Sequence, residues 1–117
     1  MRTQPLFAAM ALLALAGCAA DPAPHEQMRL SEQALEQAKA VGATDEVAEL
    51  KLAEDKLARA RSNMASESYR DARLRAEQAE LDARLAEARV LTIKSQEQLS
   101  LLQSRVNRLR KQLGEQQ

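Results

Sequence analysis

The stretch best suited to chemistry in this sequence is a run of four residues near the N-terminus: Leu15, Ala16, Gly17 and Cys18. The last of these is the only cysteine in 117 residues, so no disulfide can form within the chain. Arg2 and an apolar stretch of about ten residues precede it, whereas a membrane-spanning helix needs about 20. This organisation is typical of a cleavable export signal, with the small residues marking the cleavage position.

The four residues resemble the bacterial lipobox. The resemblance implies a diacylglycerol thioether on Cys18, cleavage after Gly17, and acylation of the amine that cleavage frees. Residues 1–17 would then be the signal peptide of a lipoprotein. The alternative is an ordinary secretory signal beside an unmodified Cys18. A single acyl chain binds a bilayer only marginally, but three chains together would make the anchor effectively permanent.

Residues 18–25 are predicted to be the lipidated N-terminus and a short tether, because Pro22 and Pro24 disfavour helix. His25 is the only histidine, and without neighbouring ligands we expect it to be solvated. In bacterial lipoprotein sorting, an acidic residue directly after the cysteine favours retention in the inner membrane. Ala19 and Ala20 occupy those positions, so the analogy predicts the periplasmic face of the outer membrane.

The composition predicts an all-α protein with a thin core. Apolar residues make up 45% of the chain and are mostly Ala and Leu, while aromatic residues make up only 2%. Three Gly and three Pro leave few helix breaks, and alanine favours helix but buries little area. Lys plus Arg equals Asp plus Glu at 17 each, so we expect no nucleic-acid partner.

Two short helices are predicted before a long one. The first runs from Glu26 to about Val41 and should end at Gly42. Its inward stripe is Met28, Ser31, Leu35 and Ala38. Thr44 or Asp45 could cap the second helix, which weakens near residue 65. Its stripe is Leu50, Ala53, Leu57, Ala60 and Met64.

The third predicted helix runs from Tyr69 to about Leu113 without Gly or Pro. A pattern this long favours a coiled coil or an extended hairpin. One heptad register places large apolar residues at most of its a and d positions. We call these residues the leucine seam: Leu74, Leu81, Leu85, Leu99, Leu102, Val106, Leu109 and Leu113. Gln78, Thr92 and Ser95 are polar residues at the same heptad positions.

The charges beside the leucine seam distinguish two ways of pairing two copies. A parallel pair brings together only like charges: Glu77 with Asp82, Arg84 with Arg89, and Arg105 with Arg110. An antiparallel pair in which Leu85 faces Leu102 brings together opposite charges: Glu77 with Arg105, and Asp82 with Arg110. A competing use of the same face is intramolecular, because the first two helices need a partner and residues 74–85 are nearest.

The chain is therefore divided into an alanine-rich helical domain at residues 26–90 and a coiled-coil extension at residues 91–117. The extension carries four cations with no acid between Ser104 and Gly114: Arg105, Arg108, Arg110 and Lys111. One interpretation is a solvated helix end whose cations suit the negative C-terminal dipole. The other is a contact to an anionic envelope polymer or lipid.

The middle of the chain resembles a known family. The residues that carry the resemblance are Ala43, Leu50, Ala53, Lys56, Leu57, Ala60, Tyr69 and Ala72, then Ala76-Glu77-Gln78-Ala79, Asp82-Ala83 and Leu85-Ala86-Glu87-Ala88. They are similar to the alanine-rich bacterial envelope lipoproteins of domain-of-unknown-function family 4398, over about residues 28–90. The resemblance implies a helical envelope protein and carries over no activity.

These observations favour a non-enzymatic scaffold, spacer or adaptor of the cell envelope. Alternatives are a murein-type structural lipoprotein and a peptidoglycan-associated regulator of an envelope enzyme. No combination of residues predicts a catalytic or metal site, and no cofactor is expected beyond the lipid on Cys18. Expected partners are the bilayer through Cys18, a second antiparallel copy or another envelope protein, and peptidoglycan.

Overall fold

The computed structural model of the protein describes residues 21–114, which form three α-helices. Helix α1 spans His25–Ala40, α2 spans Ala48–Ala65 and α3 spans Tyr69–Gly114. No strand occurs among these described residues. The all-α class, the two short helices and the long C-terminal helix are therefore confirmed. The predicted signal peptide and the first part of the tether lie outside the described residues.

Helix α1 ends at the glycine predicted to stop it. Gly42 has a φ of +102°, a conformation that residues with a Cβ rarely adopt. Its N–H donates to the Lys39 carbonyl at 2.9 Å, and the Ala43 N–H donates to the Ala38 carbonyl at 2.9 Å. These bonds satisfy carbonyls that a helix end would otherwise leave free.

Helix α2 begins later than a cap at Thr44 or Asp45 would place it, so that expectation is wrong. The Val47 N–H donates to the Thr44 carbonyl at 2.8 Å in a turn, and the helix begins at Ala48. Val47 is extended and packs, partly buried, against the core. Because burial of Val47 stabilises the extended residue, tertiary packing overrides the local capping pattern.

A tight turn joins α2 to α3 where the serine-rich stretch predicts a break. Glu67 has a φ of +58°, and the Ser68 N–H donates to the Asn63 carbonyl at 2.8 Å. Helix α3 then begins at Tyr69, as predicted. A connection this short makes α2 and α3 antiparallel neighbours.

Helix α1 lies parallel to the first half of α3. Gln27 Nε2 donates to Glu80 Oε2 at 2.7 Å, and Lys94 Nζ donates to the Val41 carbonyl at 2.6 Å. Both contacts join residues 53 positions apart, so the two helices run in the same direction. The three helices thus form a bundle that ends near residue 94.

The core of this bundle is mostly alanine with a few leucines. Leu50 and Leu57 of α2 are its largest fully buried apolar side chains. Ser31 is buried too. Its hydroxyl donates to the Met28 carbonyl at 2.7 Å, so this buried polar group has a hydrogen-bond partner. The stripes predicted for the first two helices face this core, with Met28 and Met64 at its half-buried ends.

Helix α3 meets α1 and α2 on a different face from the leucine face for which two competing uses were predicted. Residues 74–85 do lie against the other helices, but their leucines point away from them: Leu74, Leu81 and Leu85 are 49–67% exposed. Alanines of α3 form the contact instead, because small side chains let two helices approach α3 closely at once. The two uses of α3 therefore do not compete.

Candidate functional surface: the leucine seam of helix α3

The leucine seam runs along α3 on the side away from the bundle core. Its eight residues are all exposed, to between 44% and 67%. Single exposed leucines are common on protein surfaces, but eight large apolar residues in one heptad register mark a contact surface. The structure therefore places the predicted seam residues together, on a face that no described part of the chain covers.

Heptad positions explain how one helix carries two contact faces. The leucine seam occupies positions a and d, whereas the buried residues of α3 occupy positions b and f: Ala72, Ala76, Ala79, Ala83, Ala86 and Val90. At 3.6 residues per turn, these two faces are about 150° apart. A partner could cover the seam without displacing α1 or α2.

The bundle covers only the first half of α3. Val90 is the last buried residue of the helix, and every residue from 91 to 114 is exposed. We call residues 91–114 the arm, which is about 36 Å long at 1.5 Å per residue. Most helices in proteins are stabilised by tertiary packing, and no side chain of the arm is buried against residues 21–90, although Lys94 bonds the Val41 carbonyl. The arm is thus the part of the molecule that would gain most from a partner.

Charge is divided unequally between the arm and the rest of the described chain. The arm holds five Lys and Arg and one Asp or Glu, a net charge of +4. Residues 21–90 hold 11 Lys and Arg against 15 Asp and Glu, a net charge of −4. The chain has no net charge overall, but the arm is positive and residues 21–90 are negative, a division that the total composition does not show.

The four predicted basic residues all lie exposed on the arm, but they point in two directions. Arg105 and Arg110 occupy positions g and e, next to the leucine seam. Arg108 and Lys111 occupy positions c and f, on the back of the arm. The first pair suits a partner on the seam, and the second pair remains open to another ligand.

Ion pairs engage several charged residues beside the seam: Lys56 with Asp82 at 2.5 Å, Arg84 with Glu80 at 2.6 Å, and Arg89 with Glu49. Because Asp82 already pairs with Lys56, in an antiparallel dimer it would be shared between Lys56 and Arg110 of the second copy. Sequence spacing missed the Lys56 and Glu49 contacts, because these residues are 26 and 40 positions from their partners.

Two of these contacts shift the pKa of a carboxyl group. The hydrogen bond from Arg89 lowers the pKa of Glu49, and hydrogen bonds from Arg84 and then Gln27 lower the pKa of Glu80. Both carboxylates stay charged to lower pH than ordinary glutamates and link the helices. Within residues 21–114, no group of three His, Cys, Asp or Glu residues is arranged to hold a metal ion.

The predicted lipidation site, Cys18 with Leu15, Ala16 and Gly17, lies outside the described residues. Asp21 is described, and it lines a shallow groove with Tyr69 and Leu74 at the start of α3. The chain therefore enters the bundle at the end opposite the arm. Of the helices that the structure describes, none is long and apolar enough to cross a membrane.

Comparison with known proteins finds similar chains. A family profile described as "Domain of unknown function (DUF4398)" matches residues 26–100, which include the bundle and the first ten residues of the arm. The chain is also similar to the crystal structure of a DUF4398 family protein from Pseudomonas aeruginosa PAO1. The identity is 71% and the TM-score is 0.80, over 82% of this chain and 100% of that one. No curated protein matches this chain.

Proposed function

Because the chain belongs to the DUF4398 family, whose description assigns no activity, we propose a function from its surface: a non-enzymatic, lipid-anchored scaffold of the bacterial envelope. The observation that carries the proposal is the exposed leucine seam on a helix that extends well beyond its own bundle. Such a surface is suited to binding another helix by apolar burial, with flanking charges that select the partner.

The proposed anchor is an acylated Cys18. Cys18 lies three residues before Asp21, which lines a groove together with residues at the start of α3. An acyl group on Cys18 would therefore attach the bundle end of the molecule to lipid and leave the arm available for contacts. The lipobox resemblance supports the modification, and the absence of an acidic residue at positions 19 and 20 supports the outer membrane as its destination.

Replacement of the anchor tests this proposal in the full chain. We expect Cys18→Ser, expressed in a bacterial host, to lose labelled palmitate and to move from the membrane fraction to the soluble fraction. Its helical circular dichroism should be unchanged, because the substituted residue precedes all three described helices. A Cys18→Ser protein that still sediments with membranes would disprove the anchor.

The destination has its own test. Ala19→Asp places an acidic residue directly after the cysteine and leaves acylation possible. We expect this variant to keep the palmitate label and to move from the outer-membrane to the inner-membrane fraction on a density gradient. An unchanged outer-membrane location would contradict the sorting argument while leaving the lipid anchor intact.

A second candidate function, binding of an anionic envelope polymer such as peptidoglycan, is favoured by the basic residues on the back of the arm. Arg108 and Lys111 are exposed and point away from the leucine seam. We expect weak co-sedimentation with peptidoglycan at low salt that is lost at high salt, since exposed charges are screened. Arg108→Gln with Lys111→Gln should abolish it, and no binding at low salt would exclude this function.

A further inference from the structure

We propose that two copies of this chain pair antiparallel along the leucine seam, so that the arm of each copy lies on the bundle half of the other. The proposal goes beyond the envelope scaffold and does not depend on the lipid anchor. It follows from three features of α3: the position of the seam, the sizes of the facing side chains and the distribution of charge.

The seam is long enough and suitably placed for this pairing. With Leu85 opposite Leu102, residue 73 of one copy lies opposite residue 114 of the other, so nearly all of α3 is covered. The exposed leucines of the bundle half then meet the large apolar residues of the arm: Leu74 with Leu113, Leu81 with Val106, and Leu85 with Leu102. Helices α1 and α2 lie on the far side of α3 and do not obstruct the second copy.

Side-chain sizes favour the antiparallel arrangement. It places Ala88 opposite Leu99 and Gln78 opposite Leu109, so these two residues face large apolar ones, while Thr92 faces Ser95 in the two central layers. A parallel pair has two central polar layers as well, and in addition it would stack Ala88 on Ala88 and Gln78 on Gln78, which would leave the seam less well filled. Facing positions that alternate large and small residues pack better.

The division of charge favours the antiparallel orientation. Antiparallel pairing lays the +4 arm against residues 69–90 of the other copy, which hold five Arg and five Asp or Glu and carry no net charge; the net charge of −4 lies on residues 21–68, on the far side of α3. Parallel pairing would instead lay two +4 arms side by side. Like charges brought together disfavour that orientation.

One local pair refines this argument. Glu77 is exposed, and no cation within the described residues forms an ion pair with it. In the antiparallel pair it lies opposite Arg105 of the second copy, and the two-fold symmetry repeats the contact. In the parallel pair Arg105 would face Arg110 instead, and neither arginine forms an ion pair with any described residue.

The pairing has a consequence for the shape of the anchored protein. Because Asp21 lies near the start of α3, the two copies of Asp21 would be at opposite ends of the dimer. At 1.5 Å per residue along α3, they would be about 60 Å apart. Two short tethers in one membrane leaflet would therefore hold the dimer along the membrane surface.

Sedimentation equilibrium of residues 19–117 tests the pairing without the lipid. This part of the chain holds all three described helices, and the Pseudomonas protein that matches 82% of this chain over its whole length was crystallised. We expect twice the monomer mass at tens of micromolar and weaker association at high salt. A strict monomer at high concentration would disprove the proposal.

A matched pair of variants tests the face. Leu102 and its neighbour Leu101 are exposed to 54% and 52% on the same part of the arm, but only Leu102 belongs to the seam. We expect Leu102→Glu to weaken dimerisation at least tenfold and Leu101→Glu to leave it unchanged. Because both side chains lie outside the bundle, the helical circular dichroism of both monomers should be preserved. Equal effects of the two variants would contradict the assigned face.

Disulfide trapping distinguishes the two orientations. Leu85→Cys and Leu102→Cys proteins are purified separately and mixed, with a size tag on one of them, under mild oxidation. The antiparallel register predicts a disulfide between the two different proteins. Predominant disulfides between identical proteins would show parallel pairing and overturn the proposal.

Discussion

At the scale of single residues, alanine decides how this bundle packs. Five of the six buried residues of α3 are alanines, and Ala72, Ala76, Ala83 and Ala86 have no exposed surface. Each buries little area, but together they let α1 and α2 approach α3 closely enough for Leu50 and Leu57 to fill the space between them. The positions of the alanines therefore matter more than their number.

Replacing one buried and one exposed alanine of α3 with leucine tests which alanines pack the bundle. Ala83→Leu places three extra carbons in a fully buried contact, and overpacking of this kind costs about 1–3 kcal/mol. Ala88→Leu makes the same change at an exposed position of the same helix and should leave the stability of the bundle unchanged. Chemical denaturation of each variant in the monomeric Leu102→Glu background is the measurement. Equal destabilisation by both would show that the alanine face is misassigned.

At the scale of helices and turns, one glycine determines the path from α1 to α2. Gly42 adopts a left-handed conformation, and its turn brings Ala43 into the core and the Val41 carbonyl to Lys94. The turn therefore ends α1 and also places the end of α1 beside α3, at the point where α3 leaves the bundle. The left-handed conformation of Gly42 thus lies at the boundary between the bundle and the arm.

Gly42→Ala should destabilise the bundle by about 1–2 kcal/mol, the cost of a left-handed conformation in a residue with a Cβ. The new methyl group would also lie 3.3 Å from Lys94 Nζ, a flexible group that can move away. Gly114→Ala is the control, because its Cβ would meet no atom within 4 Å. Thermal unfolding should show a lower midpoint for Gly42→Ala only. Identical midpoints for Gly42→Ala and the unmodified chain would contradict the role of the turn.

At the scale of the whole molecule, ion pairs connect all three helices. Lys39 pairs with Glu54 and Arg61 with Glu32 between α1 and α2, while Glu49 and Lys56 of α2 reach α3. Exposed pairs of this kind contribute little singly. Together they fix the alignment of the three helices, because alanine-rich contacts alone would allow one helix to slide along another.

The Glu49–Arg89 pair makes the stability of the bundle sensitive to acid. The folded-state pKa of Glu49 is lowered by Arg89, so the contribution of its carboxylate is present above its unfolded pKa, about 4.5, and is lost as the pH falls through the folded value. We expect Glu49→Gln to lower the thermal midpoint more at pH 7 than at pH 3, at one fixed protein concentration. Glu46→Gln, at an exposed position, should have no effect at either pH. A Glu49→Gln deficit as large at pH 3 as at pH 7 would contradict the ion-pair explanation.

The helices and the heptad pattern could be predicted from the sequence. The absence of Gly and Pro between Tyr69 and Leu113 predicted the length of α3, Gly42 predicted the end of α1, and leucine spacing predicted one seam in a single register. These features depend on neighbours within a few turns, so they can be derived from propensity and periodicity. The start of α2 could not, because burial of Val47 in the distant core overrode the caps available at Thr44 and Asp45.

Which face of α3 serves which contact emerges from the packing of the three helices together. The sequence showed leucines and alanines on the same helix, and it left open whether the leucine face binds a second copy or packs against the first two helices. Packing of two helices against α3 requires closely approaching backbones, so the alanines were buried and the leucines stayed exposed. The contacts of Glu49 and Lys56 with α3 likewise join residues far apart in the chain. The buried face and the long-range ion pairs depend on how all three helices fit together, and the pattern of residues within one helix does not contain that information.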